Sequence, residues 1–242
     1  MATDTKQVEE QETEAATDSE SVFALLFQLD GVATDARRAA YDVLSSILGD
    51  DKVKFSEAQF SRHCLLPSPQ RYIPALLEEL GAKTNAKKLA EDVTSGVVMN
   101  ISKTSALRPG FTAVLDEAKK RNITIGAITA LPEAQAETVI KKLGLDKWEV
   151  TLFAAEEQVD DVYPRTDTLI KIAKAMKMSQ RRCAVLAGDR AGARAALSAG
   201  MRCAVTPDSF TSFQDFGGAD LIVDSLADLS PAEILDTLLP PE

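Results

Sequence analysis

Six short runs of continuous apolar residues constrain this chain more than any other feature: VFALLF at 22–27, ITIGAI at 123–128, VTLFAA at 150–155, CAVLAG at 183–188, CAV at 203–205 and LIV at 221–223. They have strand length, and they are apolar at successive rather than alternate positions, which is the pattern of strands covered on both faces. Between the later runs lie PGFTAVLDEAKKR, PEAQAETVIKKLGL, TDTLIKIAKAMKM and AGARAALSAG, whose apolar residues recur at the three-and-four spacing of an amphipathic helix. Strand and helix therefore alternate, which predicts an α/β fold with a doubly wound, Rossmann-like parallel sheet. Gly144 and Gly200 stand where a left-handed residue ends a helix. Ser230-Pro231-Ala232-Glu233 reads as a capping box with proline at the first helical position, opening a final helix.

The alternation breaks between about residues 36 and 106, where no strand-like run occurs. AAYDVLSSILG, SEAQFSRHCLL, QRYIPALLEELG and NAKKLAEDVTSGVVMNI all read as helices, with Gly49 and Gly81 as stops. An all-helical insertion thus follows the first strand. Open α/β sheets bind ligands outside the carboxyl ends of their strands, so an insertion there is placed to act as a lid. The expected organisation is a core of residues 21–35 and 107–242, a helical cap of residues 36–106, and a disordered acidic tail over residues 1–20.

Composition excludes several function classes. A formal net charge of −10 and a pI near 4.8 oppose attraction to nucleic acid or anionic membrane, and no run of Lys and Arg supplies a basic patch. No apolar run approaches the roughly 20 residues that cross a bilayer. The amino-terminal residues are acidic and polar, unlike a secretory signal or an Arg-rich transit peptide, so the expected location is the cytoplasm. Cys64, Cys183 and Cys203 lack metal-site spacing, and two of them lie in strand-like runs as small hydrophobes. His63 is the only histidine, which rules out a histidine triad or a multi-histidine metal centre.

Polar side chains gather immediately after the apolar runs. The first run leads into Phe27-Gln28-Leu29-Asp30-Gly31-Val32-Ala33-Thr34-Asp35, the second ends in Thr129-Ala130, and the fourth leads into Gly188-Asp189-Arg190 and then AALSAGM. Tyr163-Pro164-Arg165-Thr166-Asp167 precedes a helix. Taken in chain order and across about residues 22–238, these segments resemble the four motifs of the haloacid dehalogenase superfamily. The likeness is greatest to the branch containing β-phosphoglucomutase and phosphoglycolate phosphatase, with its helical cap.

The resemblance implies roles by position. Gln28 matches the nucleophilic Asp, Asp30 the general acid/base, Thr129 and Ala130 the phosphoryl-binding strand end, Tyr163 the motif lysine, and Asp189 the metal ligand. The backbone carbonyl of Asp30 is implied as a further ligand to Mg2+. Two of these matches change the chemistry. An amide oxygen is a poor nucleophile where a carboxylate attacks phosphorus, and it deletes a negative charge from a site meant for a hard cation. Tyr163 is neutral near pH 7 and supplies no fixed cation. Arg190 is expected to pair with Asp30 or Asp189 and to occupy the Mg2+ site itself. Arg165 is either a displaced substitute for the lysine or a surface side chain.

Three functions stay open on these residues. The first is a catalytically impaired pseudo-phosphatase that binds a small phosphorylated molecule or serves regulation, with Mg2+ weakened or lost. The second is an active Mg2+-dependent phosphatase or phosphomutase using Asp30 or an activated water. The third is a structural or protein-partner role with an empty cleft.

Overall fold

The computed structural model describes residues 22–104, 106–155 and 162–240, so the acidic segment 1–20 lies outside the described residues. The six apolar runs form β1 (Ala24–Gln28), β2 (Thr124–Thr129), β3 (Thr151–Ala154), β4 (Cys183–Ala187), β5 (Arg202–Val205) and β6 (Leu221–Ile222). They make one sheet in the order β3-β2-β1-β4-β5-β6, with every neighbouring pair parallel.

The continuous apolarity of the inner strands follows from two covered faces. Leu25 and Phe27 of β1, with Ala184 and Leu186 of β4, belong to one apolar cluster, while Ala24, Leu26, Cys183, Val185 and Ala187 belong to another. The first cluster takes in α5 (Phe111–Lys120), α6 (Glu133–Lys142) and α9 (Pro231–Leu238). The second takes in α7 (Thr166–Ala175) and α8 (Arg190–Ser198). All three cysteines are free and buried, and burial pushes the thiols up, to about 12 for Cys64 and Cys203 and about 11 for Cys183. They pack as hydrophobes.

Between β1 and β2 the chain forms α1 (Ala36–Asp50), α2 (Glu57–His63), α3 (Pro69–Leu80) and α4 (Ala86–Thr104), with no strand among the described residues there. Gly81 ends α3 in a left-handed conformation, as its sequence context predicts. Gly49 does not stop α1: the helix runs through it to Asp50, and the left-handed residue is Lys52. The stop is set three residues later because Val53 donates its N–H back to Leu48 O and packs against the core beside it.

The helical insertion is held to the sheet by aromatic rings. Phe60 of α2 is fully buried and lies 4.6 Å, centroid to centroid, from Phe210 in the loop after β5, with Tyr41 of α1 at 5.7 Å from both. The Arg38 guanidinium lies 4.6 Å over the Phe210 ring and donates to Glu57 at 2.7 Å. The chain runs from β1 out to β3 on one side and then crosses to β4, β5 and β6 on the other. The loops after β1, β2 and β4 therefore converge beside β1, at the point where strand order reverses and such sheets bind ligands. No helix among the described residues is long and apolar enough to cross a membrane.

Candidate functional site

Each candidate residue except Arg165 and Arg190 reaches one cavity of about 150 Å³, walled by the sheet edge on one side and by Phe60, Tyr72 and Val97 of the insertion on the other. Gln28, Asp30, Thr129, Ala130, Tyr163 and Asp189 all line it. What the sequence separates by up to about 160 positions is brought within hydrogen-bonding reach.

Gln28 is the last residue of β1 and is 8% exposed. Its Oε1 accepts from the Gly188 N–H at 2.7 Å, which orients Nε2 toward both carboxylate oxygens of Asp189 at 3.4 Å. Gly192 makes room for this arrangement, since a Cβ there would stand 2.6 Å from Gln28 Oε1. Both ends of the amide are occupied by the protein.

Asp30 lies on a single π-helical turn, Leu29–Ala33, that continues β1. Its carboxylate accepts from Thr129 Oγ1 at 2.8 and 2.9 Å and from the Ala130 N–H at 3.3 Å. Thr129 Oγ1 in turn accepts from the Leu131 N–H at 3.0 Å. The strand-end donors that the resemblance assigns to a phosphoryl group thus hold a carboxylate of the chain itself. Burial drives the Asp30 pKa above its ordinary range, the bonds from Thr129 and Ala130 and the charge of Arg37 oppose that rise, and the charge of Asp189 adds to it.

Asp189 caps α8, accepting from the Gly192 N–H at 2.8 Å. Its ion-pair partner is not Arg190. Arg190 starts α8 with an exposed side chain, its backbone N–H donating to Gln214 Oε1 at 2.8 Å, and it lines a separate groove beside α7 and α8. Because the Asp189 side chain turns inward to cap the helix, the residue that follows it points away. The cation that meets Asp189 is Arg37, in the first turn of α1, through Nη2. Arg37 Nη1 also donates to Asp208 Oδ2 at 2.7 Å. Burial opposes the charge on Arg37, but Asp189 and Asp208 outweigh it and raise its pKa.

Arg108 completes the frame, donating through its guanidinium to the backbone oxygens of Gly31 at 2.5 Å and of Thr206 and Pro207 at 2.9 Å. Tyr163 is half-buried and directs its hydroxyl at Phe153 O, 3.5 Å away. Arg165 is an exposed side chain 3.9 Å from Asp167, and it lines the outer groove with Arg71, Arg190 and Arg194. Four arginines from three separate segments thus meet in space, although no basic run exists in the sequence. Asp167 and Asp189 line the same groove.

Sequence reasoning missed Arg37, Arg108 and Asp208. Asp208 was findable, since the segment after β5 must open at the same sheet edge. Arg37 had a subtler signal: two cations, Arg37 and Arg38, in the first turn of a helix that has no acid there work against the helix dipole.

The β1 turn and the β4 loop meet at the sheet edge beneath a helical insertion, the arrangement in which open α/β sheets bind ligands. A comparison with known proteins fixes the class further: the chain belongs to the haloacid dehalogenase-like hydrolase family, whose sequence profile matches residues 25–206. The protein YhcW of Bacillus subtilis (strain 168) is 27% identical over 216 residues, covering 89% of this chain and 97% of that one. Among solved structures, CbbY from Rhodobacter sphaeroides in complex with phosphate superposes with a TM-score of 0.72 at 21% identity, over 86% of this chain and 96% of that one. A variant of CbbY in complex with xylulose-(1,5)bisphosphate matches equally well, with a TM-score of 0.72 at 22% identity over 86% and 96%. β-Phosphoglucomutase from Clostridium difficile superposes with a TM-score of 0.71 at 22% identity, over 90% and 97%.

Proposed function

We propose that this protein binds a small phosphorylated molecule at the β1–β4 edge without hydrolysing it, as a ligand-binding or regulatory relative of the family's phosphatases. One observation carries this reading: Gln28 stands at the end of β1 with its amide oxygen committed to the Gly188 N–H and its NH2 group facing Asp189. A carboxylate at that position attacks phosphorus, whereas this amide carries no charge and its oxygen already accepts from the Gly188 N–H. Tyr163 brings no compensating cation. The ligand class is supported by the complexes of CbbY with phosphate and with xylulose-(1,5)bisphosphate.

In this reading residues 21–35 and 107–242 form the core and residues 36–106 the cap. Asp30 stands at the acid/base position, Thr129 and Ala130 are the phosphate-binding donors, and Asp189 with the Asp30 carbonyl marks the metal position. Mg2+ fits these residues poorly. Asp189 already accepts from the Gly192 N–H and pairs with Arg37.

Because Asp30 occupies the Thr129 and Ala130 donors, an entering anion has to displace it. Asp30→Asn, which removes the like charge, is expected to tighten inorganic phosphate binding in calorimetry. The direct test is a panel of phosphate esters assayed with Mg2+, alongside calorimetry with inorganic phosphate. Binding without turnover is expected, and turnover at about 1–1000 per second would overturn the reading.

A second reading, a phosphatase or phosphomutase using Asp30 or a water it activates, draws on one observation. The carboxyl of Asp30 lies in the cavity with a raised pKa, a property of working acids and bases. Under it, Asp30→Asn abolishes turnover.

A further inference from the structure

We infer that the guanidinium of Arg37 is the resident cation of this site, standing in place of a divalent ion, so that the cleft takes its anion without metal. The inference rests on the anion-binding reading for its ligand, while the placement of the cation stands on geometry alone.

Arg37 is set between the two acidic loops that would otherwise face each other across the sheet edge. One nitrogen pairs with Asp189 of the β4 loop and the other with Asp208 of the β5 loop, at 2.7 Å for Asp208. The three side chains are 15%, 16% and 7% exposed, so the pairing is shielded from water. Asp30 lies close enough that its charge also bears on Arg37. Arg37 thus joins carboxylates of two separate loops in a shielded place, where leaving either of them unpaired would be costly, and the nearby Arg108 guanidinium adds its charge toward Asp208.

The surrounding backbone is shaped to admit the guanidinium. A Cβ at position 31 would stand 2.6 Å from Arg37 Nη1, so the glycine in the β1 turn makes the room. Arg108 fixes the same turn and the β5 loop by taking up the carbonyls of Gly31, Thr206 and Pro207, leaving Asp208 to Arg37. The position of Arg37 in its helix supports a role in the site rather than in the helix, because a cation in the first turn opposes the helix dipole. Gln28 completes the exchange. A neutral amide beside Asp189 removes one negative charge where a tethered monovalent cation has replaced a divalent one.

The consequence for the reaction chemistry is that Gln28→Asp with Tyr163→Lys is not enough to rebuild a metal-dependent site, because Arg37 still fills the place of the ion. The test uses Mg2+ and Mn2+ titrated into the wild-type protein by calorimetry, and inorganic phosphate titrated with EDTA or with Mg2+ present. No saturable ion binding at millimolar concentration is expected, and the phosphate affinity is expected to be the same in both buffers. Saturable Mg2+ or Mn2+ binding that disappears in Asp189→Asn overturns the inference, as does a phosphate affinity that falls about 10-fold or more on chelation.

Gln28→Asp/Arg37→Gln, followed by the electron paramagnetic resonance of Mn2+, is expected to gain ion binding of at least about 10-fold over the wild type. Arg37→Lys, which keeps a cation, is expected to gain none. A folded double variant that binds no ion overturns the inference; an unfolded one leaves the wild-type titrations to decide. Turnover that survives EDTA would overturn the non-hydrolytic reading while supporting Arg37 as the cation, and Mg2+-dependent turnover would overturn both. Absence of phosphate binding sinks only the anion-binding reading, and the ion titrations then judge Arg37 by themselves.

Discussion

Burial makes the ionised form of Asp30 unfavourable, so this side chain couples the pH to the stability of the fold. Its pKa in the folded protein lies above the ordinary value of 3.8. Between those two values the folded state holds a proton that the unfolded state has lost, so stability falls as pH rises through that window and the full penalty is present above it. Asp30→Asn is therefore expected to raise the melting temperature at neutral pH, with the gain shrinking as pH falls toward 4. A gain independent of pH would mean that ionisation is not its source. Gln28, Asp30, Thr129 and Asp189 were legible because each directly follows an apolar run and so must surface at one sheet edge. Arg37 was not, because its partners Asp189 and Asp208 lie 152 and 171 positions away and only the closed sheet brings them to it.

At the scale of elements, two glycines that look alike in sequence separate cleanly. Gly110 opens α5 with φ of 79°, and a Cβ there would lie 2.3 Å from the backbone of Leu226 and Ala227. Gly110→Ala is expected to cost about 3 kcal/mol or more, because neither backbone segment can yield. Gly49 lies inside α1, where an added methyl group would meet nothing within 4 Å. Gly49→Ala is expected to add about 0.5–1 kcal/mol. Urea unfolding of both variants measures the pair, and equal effects would contradict these placements.

The element types themselves could be read from period, since all six apolar runs became strands and every proposed helix formed. Their ends were less legible. Whether a helix stops at Gly49 or at Lys52 depends on where Val53 finds the core, which is not a local property.

For the whole molecule, the aromatic contact of Phe60 with Phe210 joins the insertion to the loop after β5. Phe210→Ala is expected to cost roughly 3–5 kcal/mol and to speed amide hydrogen exchange along α2. Protection of α2 that stays unchanged would show that the insertion is anchored elsewhere. The buried residues of the insertion and of the first sheet face also belong to one uninterrupted apolar cluster. Heat is therefore expected to melt lid and floor in a single calorimetric peak, with calorimetric and van't Hoff enthalpies equal. The cleft would then have no partly melted state in which its walls survive apart.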